Sequence, residues 1–170
     1  AAVELTRAPR AMGKITGETV QADFNDLPAV LHYTRAAHEL GLWVSERTLI
    51  ERFFPDHTAP LLEAGCGAGR VTLGLWQLGY RNLTAFDFAR ELVDQAQSLA
   101  DERAASDLRL RHGDATRLLD DPAAWRAPDG GKFRGALFLF NGLMQIPGRD
   151  RRRRALAGLA AVCAPGSPLL

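Results

Sequence analysis

The 170-residue sequence predicts a single α/β domain, built on a doubly wound, mostly parallel sheet with helices on both faces. Three observations lead to this fold class. Short apolar runs alternate along the chain with longer amphipathic segments. These segments are long enough to be the crossover helices that parallel strands need. A glycine-rich turn follows the first apolar run directly, between residues 65 and 69.

The N-terminal part of the chain is predicted to stand apart from this domain. Residues 1–28 are polar and irregular in pattern, and the domain is expected to cover residues 29–170. The first helical pattern lies in "HYTRAAHELGLWVSERTLIERFF" and divides at Gly41. We expect Ser45 to cap the second of these two helices and Pro55 to end it. The buried side chains of this helix are expected to be Leu49, Ile50, Phe53 and Phe54.

From residue 61 onward the predicted elements alternate regularly. Strands are expected at residues 61–64, 82–86, 107–111 and 133–140, and the start of another at 168–170. Helices are expected at residues 69–78, 90–102 and 150–163, with a short helix after Asp121 and Pro122. Gly79 is expected to stop the first of them.

The stretch "LLEAGCGAGR", residues 61–70, places three glycines at alternate positions after a strand. Such a loop can direct backbone N–H groups at a polar or anionic ligand, since no Cβ blocks the approach. A plain tight turn would need only one glycine. The dinucleotide spacing GxGxxG does not fit, because Arg70 occupies its third glycine position, and no Gly-Lys-Ser/Thr follows to form a P-loop.

The remaining pattern, Glu63 followed by Gly65, Gly67 and Gly69, resembles motif I of the class I S-adenosylmethionine-dependent methyltransferases. In that family the turn accommodates the amino-acid tail and the ribose of the cofactor. The resemblance implies that these four residues contact the cofactor, with Cys66 as a small spacer in the loop. Arg70 is expected either to meet the carboxylate of the cofactor or to face solvent.

An acidic residue also ends the second predicted strand. Asp87 follows Glu63 by 24 residues, and a carboxylate can accept hydrogen bonds from two vicinal ribose hydroxyls. A nicotinamide-binding fold places an acid at a similar distance, so Asp87 alone does not discriminate. Asp87 is also a suitable helix N-cap. Phe88, directly after it, would offer an apolar face to adenine.

Two later strand ends continue the resemblance. The third predicted strand ends in Gly113, Asp114 and Ala115, where the family places an acidic residue against the exocyclic amine of adenine. The fourth ends at Asn141, in the position of the family's motif IV. In the N-terminal helices, Tyr33 is expected either to close over the cofactor or to belong to the core.

The resemblance implies an enzyme that transfers a methyl group from S-adenosyl-L-methionine and releases S-adenosyl-L-homocysteine. No catalytic base is identifiable, and no metal is expected. Asn141 is followed by Gly142, Leu143 and Met144, which differs from the Pro-Pro-Tyr/Phe sequence of enzymes that methylate DNA bases or glutamine. We therefore expect a small-molecule acceptor. The alternatives are a non-catalytic cofactor-binding or structural module of the same fold and, with less support, an NAD-dependent oxidoreductase.

The family's full sheet has seven strands, and this sequence stops at the opening of the fifth, after the turn at Pro165 and Gly166. The sequence therefore indicates a fold truncated after the start of strand five. The resemblance covers roughly residues 30–170.

Composition gives no general attraction to nucleic acid, because the formal net charge is only +1. The arginine-rich run at residues 149–154 is expected to be a solvated helix start, with a phosphate-contacting patch as the alternative. Cys66 and Cys163 lie far apart and show no zinc or disulfide spacing. No segment has the length of a membrane span, so a cytoplasmic protein is expected. The oligomeric state is left open.

Overall fold

The structure is a computed structural model that describes residues 15–170. Its first helix, α1, covers Gly17–Phe24, and the second, α2, covers Leu27–Glu39. The prediction of an irregular segment over residues 1–28 is therefore wrong where these helices lie, and its part over residues 1–14 lies outside the described residues. The reason is capping: Thr16 and Thr19 form a reciprocal capping box. Pro28 occupies the first turn of α2, where its ring is tolerated.

Helix α3 covers Val44–Phe53, and its N-cap is Trp43 instead of the predicted Ser45. The carboxylate of Glu46 accepts the backbone N–H of Trp43 at 2.9 Å, and this bond fixes the helix start two residues earlier. The expected burial of Ile50 and Phe54 is confirmed. The expectation was wrong for Leu49 and Phe53, which the packing of α3 leaves exposed to solvent.

Within residues 15–170 the sheet has four strands in the order β3-β2-β1-β4, and each of these pairings is parallel. The strands are β1 (Leu61–Ala64), β2 (Leu83–Asp87), β3 (Arg109–His112) and β4 (Gly135–Leu137). Strand β4 is shorter than the predicted 133–140: Phe133 forms only an isolated bridge with Cys163, and left-handed backbone angles at Phe140 and Asn141 end the extended chain on the other side. The predicted sheet class is confirmed.

The remaining helices are α4 (Arg70–Gln77), α5 (Arg90–Glu102), the short α6 (Gly142–Gln145) and α7 (Arg149–Val162). Short 3₁₀ turns lie at Ala115–Arg117 and Pro122–Ala124. Successive strand residues point to opposite faces of the sheet. Leu61 packs in one core cluster with Ile50, and Leu62 packs in the other with Leu159. Helices therefore cover both faces, as predicted.

Residues 168–170 begin a further strand beside β4. The N–H of Ala136 donates to the carbonyl of Pro168, and the N–H of Leu170 donates back to Ala136, both at 3.1 Å. Leu169 pairs in parallel with Ala136. The predicted start of a fifth strand is therefore confirmed. Over residues 15–170, no helix combines the length and apolar character needed to cross a membrane.

Candidate functional site

A cavity of about 450 Å³ lies at the carboxyl ends of the parallel strands. This is the edge of an open α/β sheet where ligands bind. Ten of the twelve predicted site residues line it: Tyr33, Glu63, Gly65, Cys66, Gly67, Asp87, Phe88, Gly113, Asp114 and Ala115. Gly69 and Asn141 are not among its lining residues.

The glycine turn between β1 and α4 brings backbone to the cavity wall. The N–H groups of Gly65 and Cys66 both donate to the carbonyl of Phe86, which ties the turn to β2. Gly67 has φ +54°, and a Cβ added there would meet no protein atom within 4 Å. Because Gly67 lines the cavity, that open space is space for a ligand.

Gly69 has a packing role in place of the expected contact with the cavity. It is the left-handed N-cap of α4, with φ +88°. A Cβ at Gly69 would lie 3.1 Å from the Cβ of Ala96, so the glycine lets α4 and α5 approach closely.

Asp87 ends β2, and its carboxylate bridges two backbone segments. Oδ2 accepts the N–H of Gly67 at 2.8 Å, and Oδ1 accepts the N–H of Ala89 at 2.9 Å. Burial raises the pKa of Asp87, although the N–H groups of Ala89 and Gly67 oppose the shift. Each carboxylate oxygen keeps a further lone pair for a ligand hydroxyl. The expected capping bond and a ligand contact are therefore compatible.

Glu63 is buried in β1, with 5% of its surface exposed, and it lines the cavity. The hydroxyl of Thr72 donates to its Oε2 at 2.6 Å. Burial raises the pKa of Glu63 to about 7, even though Thr72 and the charge of Arg70 lower it. A cationic ligand group in the cavity would favour the ionised form.

The segment after β3 forms the opposite wall. A Cβ at Gly113 would lie 2.7 Å from the ring of Trp125, so glycine is required where that ring packs. Asp114 caps the following 3₁₀ turn: its Oδ1 accepts both the N–H and the hydroxyl of Thr116 at 2.8 Å. Asp114 also lines the cavity.

Asn141 does not take its predicted place in the site. It is exposed, with φ +62°, and it directly precedes the short α6. Its neighbours Phe140 and Gly142 line the cavity. The backbone at Phe140 and Asn141 is left-handed, so a turn stands where the sequence predicted the end of the fourth strand.

Arg70 forms a buried ion pair, which was not among the two expected roles. Its guanidinium donates to both carboxylate oxygens of Glu46, at 2.6 and 2.8 Å, and to the carbonyl of Gly41 at 2.6 Å. Burial alone would raise the pKa of Glu46, but the bonds from Arg70 and Trp43 outweigh it and lower that pKa. The pair holds α4 against the start of α3.

Helix α1 is the main part of the site that the sequence interpretation missed. Gln21 donates from Nε2 to the carbonyl of Phe88 at 2.6 Å. Phe24 lies 5.5 Å from the ring of Tyr33 and 5.7 Å from that of Phe88. These residues all line the cavity. Thr16 and Thr19 lie three residues apart, as a capping box requires, and this spacing could have predicted the helix from the sequence.

Burial and the charge of Asp87 raise the pKa of Tyr33, so its hydroxyl stays neutral at neutral pH. Burial likewise raises the pKa of the Cys66 thiol well above its ordinary value.

The arginine-rich run at the start of α7 is partly used for internal bonds. Arg152 donates to the carbonyl of Ile146 at 2.8 Å. Arg154 donates to the carbonyl of Thr116 and pairs with Asp120. Over the described part of the chain, no cluster of His, Cys, Asp and Glu has the make-up of a metal site.

A comparison with protein families gives the decisive observation. The family described as "Methyltransferase domain" matches residues 61–166, which include β1 to β4 and the cavity residues from Glu63 to Arg151. The chain belongs to the class I methyltransferase family. Among curated proteins, no sequence shows significant similarity to this methyltransferase chain.

Solved structures share the fold of this methyltransferase domain. The magnesium protoporphyrin IX methyltransferase of Synechocystis PCC 6803 is 18% identical with a TM-score of 0.65; the match covers 90% of this chain and 74% of that one. The amino pentose methyltransferase CalS10 of Micromonospora echinaspora is 23% identical with a TM-score of 0.58, over 82% of this chain and 54% of that one. The [4+2]-cyclase SpnF is 19% identical with a TM-score of 0.71, over 91% and 59%.

The methyltransferase chain spans between half and three fifths of the length of CalS10 and SpnF. At this level of identity the structures show the fold, in agreement with the prediction.

Proposed function

We propose that the chain binds S-adenosyl-L-methionine in the cavity and transfers its methyl group to a small-molecule acceptor. The observation that carries the proposal is the open backbone at Gly67, which borders the cavity. Its φ of +54° and the open space at its Cβ position allow a ligand to touch the backbone. Its N–H is held by Asp87, which faces the same space.

The residues around Gly67 fit the amino-acid tail and the ribose of this cofactor. Glu63 and the backbone of Gly65 and Gly67 would hold the amino-acid tail, because a buried carboxyl suits an ammonium group. The remaining lone pairs of Asp87 would accept the ribose hydroxyls. Cys66 has a small side chain and acts as a spacer in the loop.

The adenine would lie between the ends of β2 and β3. Phe88 offers an apolar ring face there, and Asp114 has Oδ2 available for the exocyclic amine, next to the backbone of Gly113 and Ala115. The ring of Phe24 contacts the rings of both Tyr33 and Phe88. Phe24 and Tyr33 would therefore cover this end of the cavity and exclude water.

When bound, the cofactor supplies a methyl group made electrophilic by a positively charged sulfur. The protein then has to orient the acceptor in line and exclude water, and orientation alone can supply much of the rate enhancement. A base is needed only for a nucleophile that keeps its proton at working pH. We assign no catalytic base.

Two observations support a small-molecule acceptor. The wall after β4 is apolar, with Leu139, Phe140 and Ile146 lining the cavity. Among the structures of the same fold are methyltransferases named for an amino pentose and for magnesium protoporphyrin IX. Nucleic acid is a poorer candidate, because Arg152 and Arg154 already bond to the protein itself. A cytoplasmic location stays a prediction.

The second candidate is a module that binds the cofactor without transferring its methyl group. The likeness to a [4+2]-cyclase is the observation in its favour, since that structure of the same fold is named for another reaction. Membership of the methyltransferase family argues against the oxidoreductase alternative. Arg70, which is ion-paired with Glu46, also occupies the position where a dinucleotide-binding motif has its third glycine.

The test is a transfer assay with S-adenosylmethionine labelled in its methyl group, incubated with the protein and a small-molecule extract. We expect label in the acid-soluble organic fraction, absent with the Asp87→Ala variant. Label in precipitated nucleic acid or protein would contradict the proposed acceptor class. Cofactor binding without transfer to any fraction would favour the non-catalytic module.

A further inference from the structure

Two aromatic side chains stand half-exposed beside the cavity. Trp43, the N-cap of α3, and Phe140, after β4, have 45% and 49% of their surface exposed. Their ring centroids lie 5.2 Å apart with the planes at 74°, an edge-to-face contact. The pair joins two segments that are distant in the sequence.

Arg70 packs against one face of each of the two rings. The guanidinium carbon of Arg70 lies 5.3 Å from the centroid of Trp43 and 5.1 Å from that of Phe140, over each ring. Arg70 is itself only 9% exposed and fixed by Glu46 and Gly41. One face of each ring is therefore covered by Arg70, and much of the remaining surface is open.

This arrangement differs from an ordinary exposed aromatic. Phe53, on the same helix as Trp43, is 43% exposed, and its ring contact is Arg52 at 5.6 Å. Phe53 does not line the cavity. Trp43 and Phe140 instead form a preorganised pair, and preorganised aromatic surface binds ligands at a low entropic cost.

The pair is continuous with the cavity. Phe140, Arg70 and Leu40 line the cavity wall, and Trp43 extends that wall outward. Leu40, which lines the same cavity, is also exposed, at 55%. The positive charge of Arg70 is compensated by Glu46, and a neutral ligand therefore meets no unpaired charge there.

We propose that Trp43 and Phe140 form an aromatic subsite that binds a flat, neutral, conjugated ring of the methyl acceptor. This inference rests on the proposed function, because it concerns the acceptor of the same cavity. An aromatic ring can make an offset-stacked or edge-to-face contact with the exposed part of either ring, and this contact contributes binding energy beyond area burial that a saturated ring of similar size lacks. The acceptor would place its ring on the subsite and its nucleophilic atom inside the cavity.

The test is calorimetric and starts with S-adenosylhomocysteine, which is titrated first. The saturated protein is then titrated with naphthol and with its ring-saturated counterpart, decahydronaphthol. We expect saturable binding of naphthol and about tenfold weaker binding of decahydronaphthol. Trp43→Leu and Phe140→Leu should each weaken naphthol binding by about tenfold, since both keep an apolar side chain without the ring. Phe53→Leu, the matched control, should change nothing.

The outcomes separate the two proposals. Equal affinity for naphthol and decahydronaphthol, or unchanged naphthol binding in folded Trp43→Leu and Phe140→Leu variants, would overturn the aromatic subsite alone. Failure of S-adenosylhomocysteine to bind would overturn the proposed function and the subsite with it.

Discussion

The carboxylate of Asp87 accepts the backbone N–H of Gly67 at 2.8 Å, so the end of β2 is bonded to the turn after β1. This bond places the most open glycine of the turn next to the acidic residue of the neighbouring strand. The two motifs are 20 residues apart in the sequence, and the parallel register brings them to one edge of the sheet. A ligand in the cavity therefore meets both at once.

Asp87→Ala should abolish measurable cofactor binding. Two hydrogen bonds to a carboxylate contribute about 1.5–3 kcal/mol each, so the affinity for S-adenosylhomocysteine should fall about a hundredfold or more. The measurement is calorimetric titration of a variant shown to be folded. Asp121→Ala is the control, because Asp121 caps a 3₁₀ turn from outside the cavity lining. Unchanged affinity in Asp87→Ala would remove this residue from the site.

Gly67→Ala should lose cofactor affinity with little loss of stability. Its Cβ would meet no protein atom within 4 Å, so the folding cost is the left-handed backbone alone, about 1–2 kcal/mol. The methyl group would occupy space that we assign to the ligand. Gly130→Ala is a matched control, with φ +82° and no atom within 4 Å, on a turn away from the cavity. Thermal unfolding should shift similarly in both variants. Equal affinity for S-adenosylhomocysteine in the two would mean that the loop is only a turn.

The sequence was sufficient for the sheet and for the part of the cavity wall formed at the ends of β1, β2 and β3. Strands β1 and β2 and the turn between β1 and α4 carry local signals: an apolar run, glycines with positive φ and an acid at a strand end. Because parallel strands end at one edge, these signals were enough to group Glu63, Gly67 and Asp87.

What the sequence could not predict depends on contacts between distant segments. Helix α1 contacts the cavity through Gln21 and Phe24, whose partner Phe88 lies more than sixty positions away. Arg70 finds Glu46 on another helix, and no local pattern indicates that pair. Asn141 was misplaced because a left-handed turn at Phe140 and Asn141 replaces the predicted strand end.

Glu63→Gln should change how stability depends on pH. The folded-state pKa of Glu63, about 7, is raised from 4.5, so ionisation opposes folding. The contribution of Glu63 to stability is fully present below pH 4.5 and is lost as pH rises through about 7. Relative to the wild type, the free energy of unfolding of Glu63→Gln should rise by up to about 3 kcal/mol between pH 5 and 8. Urea unfolding at several pH values measures it. Parallel curves for the two proteins would contradict the buried, protonated carboxyl.

Arg70→Met should destabilise the protein strongly, because it leaves Glu46 buried without its partner. Breaking a buried ion pair costs about 3–5 kcal/mol. The double variant Arg70→Met, Glu46→Leu should recover most of that loss, since an apolar pair needs no desolvation of charge. Urea unfolding of the single and double variants provides the comparison. A double variant as unstable as the single would show that the aromatic contacts of Arg70 dominate instead of its charge.

We infer above that the cavity holds a methyl donor. Calorimetric titration of the chain with S-adenosylmethionine, S-adenosylhomocysteine and, as a control, NADH tests it most directly. We predict saturable binding of the first two and none of NADH. Saturable binding of NADH, or no binding of either methionine-derived ligand to a chain shown by circular dichroism to be folded, would contradict the claim.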